Sequence, residues 1–161
     1  MRLKTEPPAA HRQSQGSKHG LRVFIFALCA LSFRSSRAEG PADQHFEAGL
    51  AYERLGRYEE AYTELQLGFA LDQDRADLAL ALGLIAGRLG RLDVAQRALE
   101  RSIAVDADSV ASYYQLGLLY EKKGAGDRAL DAWHRFVSLS PDETLKAIAQ
   151  KHLQYLESSR G

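Results

Sequence analysis

At 161 residues with 45% apolar side chains, the chain has material for one domain with a buried core and a tail. Its formal net charge of zero hides a split: seven basic residues and one acid fall in residues 1–38, leaving 14 basic and 20 acidic residues in 39–161. A net acidic module offers no electrostatic footprint for a phosphate backbone, which excludes nucleic acid from the expected partners.

Taken from the start, basic residues from Arg2 to Arg22 precede an apolar run, Val23 to Phe33, and a polar stretch then ends in Ser36-Arg37-Ala38. A positive region, a short apolar region and a small-x-small site predict a secretory signal peptide over 1–38, cleaved after Ala38. The run is shorter than the roughly 20 residues of a permanent membrane helix. If it is not cleaved, residues 23–33 become an inner-membrane anchor, which is the one route to a membrane that the sequence offers. Cys29, the sole cysteine, lies inside the run behind Phe26-Ala27-Leu28, which lacks the small-residue approach of a bacterial lipoprotein signal. Residues 39–161 therefore hold no thiol for disulfide, redox or thiolate-metal chemistry. The chain has no asparagine, hence no N-glycosylation acceptor. These features point to export into the bacterial periplasm or cell envelope.

After a short leader, 39–41, three columns repeat with a step of 34: Gly49/Gly83/Gly117, Gly56/Gly90/Gly124 and Ala61/Ala95/Ala129. That period marks a helix–turn–helix repeat array, with copies at 42–75, 76–109 and 110–143. The first helix of each copy contains 46–56, 80–90 or 114–124, and the second 58–71, 92–105 or 126–139. Apolar residues recur three and four apart in each. Glycine inside a helix costs about 1 kcal/mol relative to alanine, so Gly49, Gly83 and Gly117 call for close helix–helix approach, with the alanine column as the expected facing partner. Gly56, Gly90 and Gly124 fall where the first helix must stop, in the left-handed position that glycine tolerates. Ser140-Pro141-Asp142-Glu143 reads as a helix start with a capping box and proline at the first helical position. The segment that follows, 144–158, has Leu145, Ile148, Ala149, Leu153 and Leu156 on one face. It is expected to cap the apolar end of the array.

With Leu82-Gly83, Leu116-Gly117, Tyr52, Tyr58, Tyr120, the alanine column and Pro141, residues 42–143 resemble the tetratricopeptide repeat family. Ala48 and Ala86 depart from its leucine and aromatic positions, and Gly68 from its usual small residue, without breaking the pattern. The resemblance implies an all-α, right-handed superhelical solenoid of antiparallel helix pairs that binds proteins rather than performing catalysis. It further implies that the first helices line the inner face. The inward residues would be Phe46, Leu50 and Arg54, then Leu80, Leu84 and Arg88, then Tyr114, Leu118 and Lys122. They form an apolar column, a leucine column and a basic column, suited to a partner polypeptide held by apolar anchors and oriented through carboxylates. Two other readings of these columns stand beside that one. Leucines near a helix-pair boundary also serve inter-repeat packing, and cations in a last turn favour the negative helix end without any ligand. The family's clamp on a partner's terminal carboxylate does not carry over, because Phe46, Leu50, Ala81, Ala111 and Gln115 occupy the places its polar groups would need. Tails of heat-shock chaperones are thus disfavoured partners.

Enzyme chemistry finds no foothold in the sequence. His45, His134 and His152 have no second ligand at metal spacing on their own helices. Glu59-Glu60 and Asp142-Glu143 lie in first turns, where carboxylates stabilise the helix end. No phosphate loop, serine elbow or nucleophilic cysteine is present, so neither cofactor nor catalytic residue is expected. The expected role is a non-enzymatic adaptor or scaffold in bacterial envelope assembly. The alternatives are a self-associating module, with a homodimer formed through the uncapped first repeat around His45 and Tyr52, or a non-catalytic subunit of an envelope enzyme.

Overall fold

A computed structural model describes residues 40–159. The expected signal peptide, its cleavage site at Ala38, Cys29 and the first leader residue lie outside the described residues.

Among the described residues seven α-helices follow one another: α1 Pro41–Arg54, α2 Tyr58–Leu71, α3 Ala76–Arg88, α4 Leu92–Val105, α5 Val110–Lys122, α6 Gly126–Leu139 and α7 Glu143–Ser158. Each packs on its chain neighbours, and α1 also touches α3, as α3 touches α5. Among the described residues there is no strand, and no helix is long and apolar enough to cross a membrane.

The turn within each pair is the same structure written three times. Gly56, Gly90 and Gly124 have φ of 71°, 72° and 70°, the left-handed region that side chains with a Cβ avoid. Each ends its helix in a Schellman motif. The amide after the glycine donates five residues back, from Arg57 to the Tyr52 carbonyl (2.9 Å), from Arg91 to Ala86 (2.8 Å) and from Ala125 to Tyr120 (2.8 Å). The turns between pairs also recur: Asp72 and Asp106 each accept the amide two residues on, from Asp74 and Asp108, both at 3.1 Å. These Asx turns hold the chain extended before the next helix.

The glycines inside α1, α3 and α5 are required by packing. A Cβ on Gly49 would lie 2.6 Å from Leu65 Cγ, one on Gly83 2.7 Å from Leu99 Cγ, and one on Gly117 2.6 Å from Trp133 Cε2. The expected close approach is therefore present, but its main partner is a second column, Leu65/Leu99/Trp133, that also steps by 34. The alanines, which are buried, contribute backbone: the Ala61 and Ala95 carbonyl oxygens are 3.4 Å from the same imagined Cβ atoms. Ala has no side chain long enough to reach the opposing glycine, so the larger residue one turn later fills the space.

Among the described residues the buried polar side chains are Ser102, Ser112 and Ser140, and the first two bond each other. Ser112 donates to Ser102 Oγ (2.8 Å), Ser102 donates to the Ala76 carbonyl (2.9 Å), and Ser109 pairs with Ser112 (2.8 Å). This hydroxyl chain ties α3, α4 and α5 together, and no buried side-chain polar atom among the described residues lacks a partner. Ion pairs such as Arg75–Asp43 (2.6 Å), Arg91–Glu59 (2.8 Å) and Lys123–Asp93 (2.8 Å) cross between successive pairs at the surface, where each contributes at most about 1 kcal/mol.

The last helix starts differently from the expectation. Asp142, not Ser140, is its N-cap, accepting from the amides of Thr144 (2.8 Å) and Leu145 (3.1 Å). Ser140 is instead the extended C-cap of α6, so Pro141 precedes the cap rather than opening the helix. The covered face of α7 is Ala149, Leu153 and Leu156, while Leu145 and Ile148, expected on that face, remain 37% and 38% exposed.

Candidate functional site

Helices α1, α3 and α5 supply the nine expected contact residues, and equivalent residues stand 34 apart on equivalent helices. Phe46, Leu50, Leu80, Leu84, Tyr114 and Leu118 are half-buried, and all but Leu84 pack against the core, whereas Arg54, Arg88 and Lys122 are exposed. Five of the apolar six thus do double service, with one side on the core and the other open to solvent.

The structure brings four of them together around one cleft. Leu84 and Arg88 of α3 face Leu118 and Lys122 of α5 across a space of about 280 Å³, with Leu92, Ala95 and Leu99 of α4 beneath. Gly87 also borders it, and a Cβ there would meet only the Ala95 Cβ, at 4.0 Å. In the first pair the corresponding position is Glu53, whose carboxylate lies 3.9 Å from Arg88 Nε. Arg88 also sits 5.3 Å from the centre of the Tyr58 ring. Neither Arg54 nor Lys122 has an ion-pair partner among the described residues.

At the other end, a second cleft of about 570 Å³ lies between α5 and α7, lined by Leu118, Glu121, Lys122, Tyr155 and Leu156. Sequence reasoning missed the cluster beside it. Glu121 accepts from Trp133 Nε1 (2.5 Å) and pairs with His152 Nδ1 (2.8 Å), and the imidazole stacks on the indole with ring centres 4.6 Å apart. Trp133 is fully buried and meets Tyr114 edge-on at 5.4 Å. A signal was available, since 53/87/121 is a Glu/Gly/Glu column, but periodicity alone does not say which acid finds an internal donor.

Two of the three described histidines, His45 and His152, fill structural places. His45 pairs with Glu64 Oε2 at 2.7 Å, His152 belongs to the cluster above, and His134 is exposed. Tyr52 lies under the Arg57 guanidinium, 4.8 Å from its ring centre. Both residues expected at a self-association face therefore have partners within their own chain.

A scan of protein families matches residues 45–75 and 80–143, more than half of the chain, to models that are both described as tetratricopeptide repeat. The chain belongs to the tetratricopeptide repeat family. No curated protein sequence matches it. Among solved structures of similar fold are three peptide complexes. One is the Yersinia enterocolitica type III secretion chaperone SycD with a peptide of the translocator YopD (17% identity, TM-score 0.68, 74% of this chain and 94% of that one). Another is PcrH with the chaperone-binding region of PopD (20%, 0.70, 78% and 98%). The third is the first such domain of Spaghetti (RPAP3) bound to the HSP90 peptide SRMEEVD (20%, 0.66, 73% and 91%). At these identities the likeness is one of fold. A tetratricopeptide repeat domain is a protein-interaction module, and the described residues form one.

Proposed function

We propose that this tetratricopeptide repeat protein is an exported, non-enzymatic adaptor. In this reading it captures a segment of a partner polypeptide on the face carrying Phe46, Leu50, Arg54, Leu80, Leu84, Arg88, Tyr114, Leu118 and Lys122. The working place is the bacterial periplasm or envelope, reached through residues 1–38 with cleavage after Ala38, and the task is assembly or scaffolding of an envelope complex. Three neighbours of the same fold hold peptides, which supports a polypeptide partner. The observation that carries the reading is the cleft between Leu84 and Leu118, where apolar groups left half-open by the core stand beside exposed cations. Each leucine newly covered by a partner contributes roughly 1.5–3 kcal/mol before the costs of ordering, so two or three anchors bring binding to about the micromolar range.

The test is Leu84→Glu in the exported protein, with cross-linking in the native envelope and circular dichroism as the control for folding. The reading expects the cross-linked partners to vanish while helicity stays. The same partners recovered from both forms would refute the assigned face. N-terminal sequencing of the exported form should begin at Glu39; a start at Met1 would refute cleavage.

A further inference from the structure

The cleft over Gly87 separates the middle of the candidate face from its two ends. In the 34-residue register the column 53/87/121 reads Glu, Gly, Glu, and the column 58/92/126 reads Tyr, Leu, Gly. In the first pair, Glu53 and Tyr58 are both engaged by Arg88. At the third position, Glu121 is engaged by Trp133 and His152. Only at Gly87 does the column lack a side chain, and there the missing atoms are not demanded by packing. A Cβ would overlap nothing, in contrast to Gly83 one turn earlier. Glycine at this helical position leaves a hollow rather than permitting a close approach.

The hollow is also selective in charge. In a module with more acids than bases, its lining contains two cations, Arg88 and Lys122, and no acid. Apart from the two cations and Gln115, its lining is leucine, alanine and glycine, and its volume of about 280 Å³ exceeds the roughly 150 Å³ in which an apolar cavity accommodates benzene.

Resting on the adaptor reading, we infer that this cleft is the anchor pocket of the face. It takes one bulky apolar side chain, aromatic or leucine, from an extended partner segment, with Asp or Glu beside that residue to meet Arg88 and Lys122. The buried anchor supplies affinity and the two cations supply register. Among the described residues Lys122 has no ion-pair partner to give up, and Arg88 gives up the long contact to Glu53 and its place over the Tyr58 ring.

The experiment is selection of a randomised twelve-residue peptide library on the full chain. Fluorescence polarisation of the enriched peptides then follows, on the wild-type chain and on Gly87→Leu, Lys122→Glu and Leu50→Glu. Gly87→Leu fills the hollow from its α3 side and replaces a glycine inside a helix, so its melting temperature is expected to hold or rise. The inference expects enriched sequences sharing one Phe, Trp or Leu next to Asp or Glu, with at least tenfold weaker binding to both Gly87→Leu and Lys122→Glu. Peptides that bind Gly87→Leu as tightly as wild type, or a consensus without acids, overturn the pocket while leaving the adaptor reading intact if Leu50→Glu still weakens them. No enrichment, or enriched peptides indifferent to all three substitutions, overturns both.

Discussion

Gly83 lies against Leu99 so closely that a single added carbon would stand 2.7 Å from the leucine Cγ and 2.9 Å from its Cδ2. Leu99 is almost fully buried and cannot swing away. The repeated glycine is thus what lets α3 settle onto α4, and the same relationship holds for Gly49 with Leu65 and Gly117 with Trp133. The three glycines at the end of this stretch, Gly83, Gly87 and Gly90, hold their places for three different reasons, and this yields opposite expectations for one substitution.

Gly83→Ala gains up to about 1 kcal/mol of helix propensity but overpacks the pair at a cost of about 1–3 kcal/mol. The net expectation is destabilisation in urea unfolding, with a double-mutant cycle to Leu99→Ala showing favourable coupling between the two changes. A Gly83→Ala variant at least as stable as wild type would refute the contact.

Gly87→Ala should stabilise by about 1 kcal/mol, since its Cβ meets only Ala95 at 4.0 Å. Gly90→Ala should destabilise by about 1–2 kcal/mol, although nothing lies within 4 Å of it, because its φ is 72°. The same denaturation series reads both signs. Equal effects at the two positions would contradict the division between space and backbone conformation.

Much of this was legible in advance because a period in sequence maps directly onto a period in space. The 34-residue step of Gly56, Gly90 and Gly124 located three turns that share φ to within two degrees. What periodicity does not carry is which column opposes which. The alanines were the obvious partners for the glycines, whereas Leu65, Leu99 and Trp133 occupy the space because only a longer side chain spans it. At the last helix, Ser140 and Asp142 are both capable N-caps. Ser140 is held extended at the end of α6, and the cap falls to Asp142. On the candidate face, residue types indicated which helices contribute, but not that Arg88 reaches back to Glu53 and Tyr58 while Lys122 finds no ion-pair partner among the described residues. Those outcomes depend on neighbours about one repeat away.

Ser102→Ala removes the acceptor of Ser112 and the donor to the Ala76 carbonyl in a fully buried setting. The expected cost is about 1–3 kcal/mol, larger than for Ser138→Ala on the exposed surface of α6, where the hydroxyl bonds only its own helix. Chemical denaturation of the two variants side by side checks this, and equal losses would contradict a structural role for the hydroxyl chain.

Tyr120 predicts an alkaline sensitivity. Burial, reinforced by donation to Glu100 Oε1 at 2.8 Å, pushes its phenol from 10.0 up to about 12. The native state thus favours the neutral form more than the unfolded state does. That contribution is complete below the unfolded value and is lost as pH rises through the folded one. Stability should therefore fall between pH 10 and about 12, and the fall should be shallower in Tyr120→Phe. Parallel slopes for the two proteins would count against the assignment.

The central claim is that the face of α1, α3 and α5 receives a foreign polypeptide. Its most direct test places a photo-crosslinking amino acid in place of Leu84, beside the cleft, and separately in place of His134, exposed on α6. Both proteins are irradiated in the living cells that make them. A discrete adduct with another protein is expected from position 84 and none from position 134. Adducts from position 134 alone, or the same adducts from both, would contradict it.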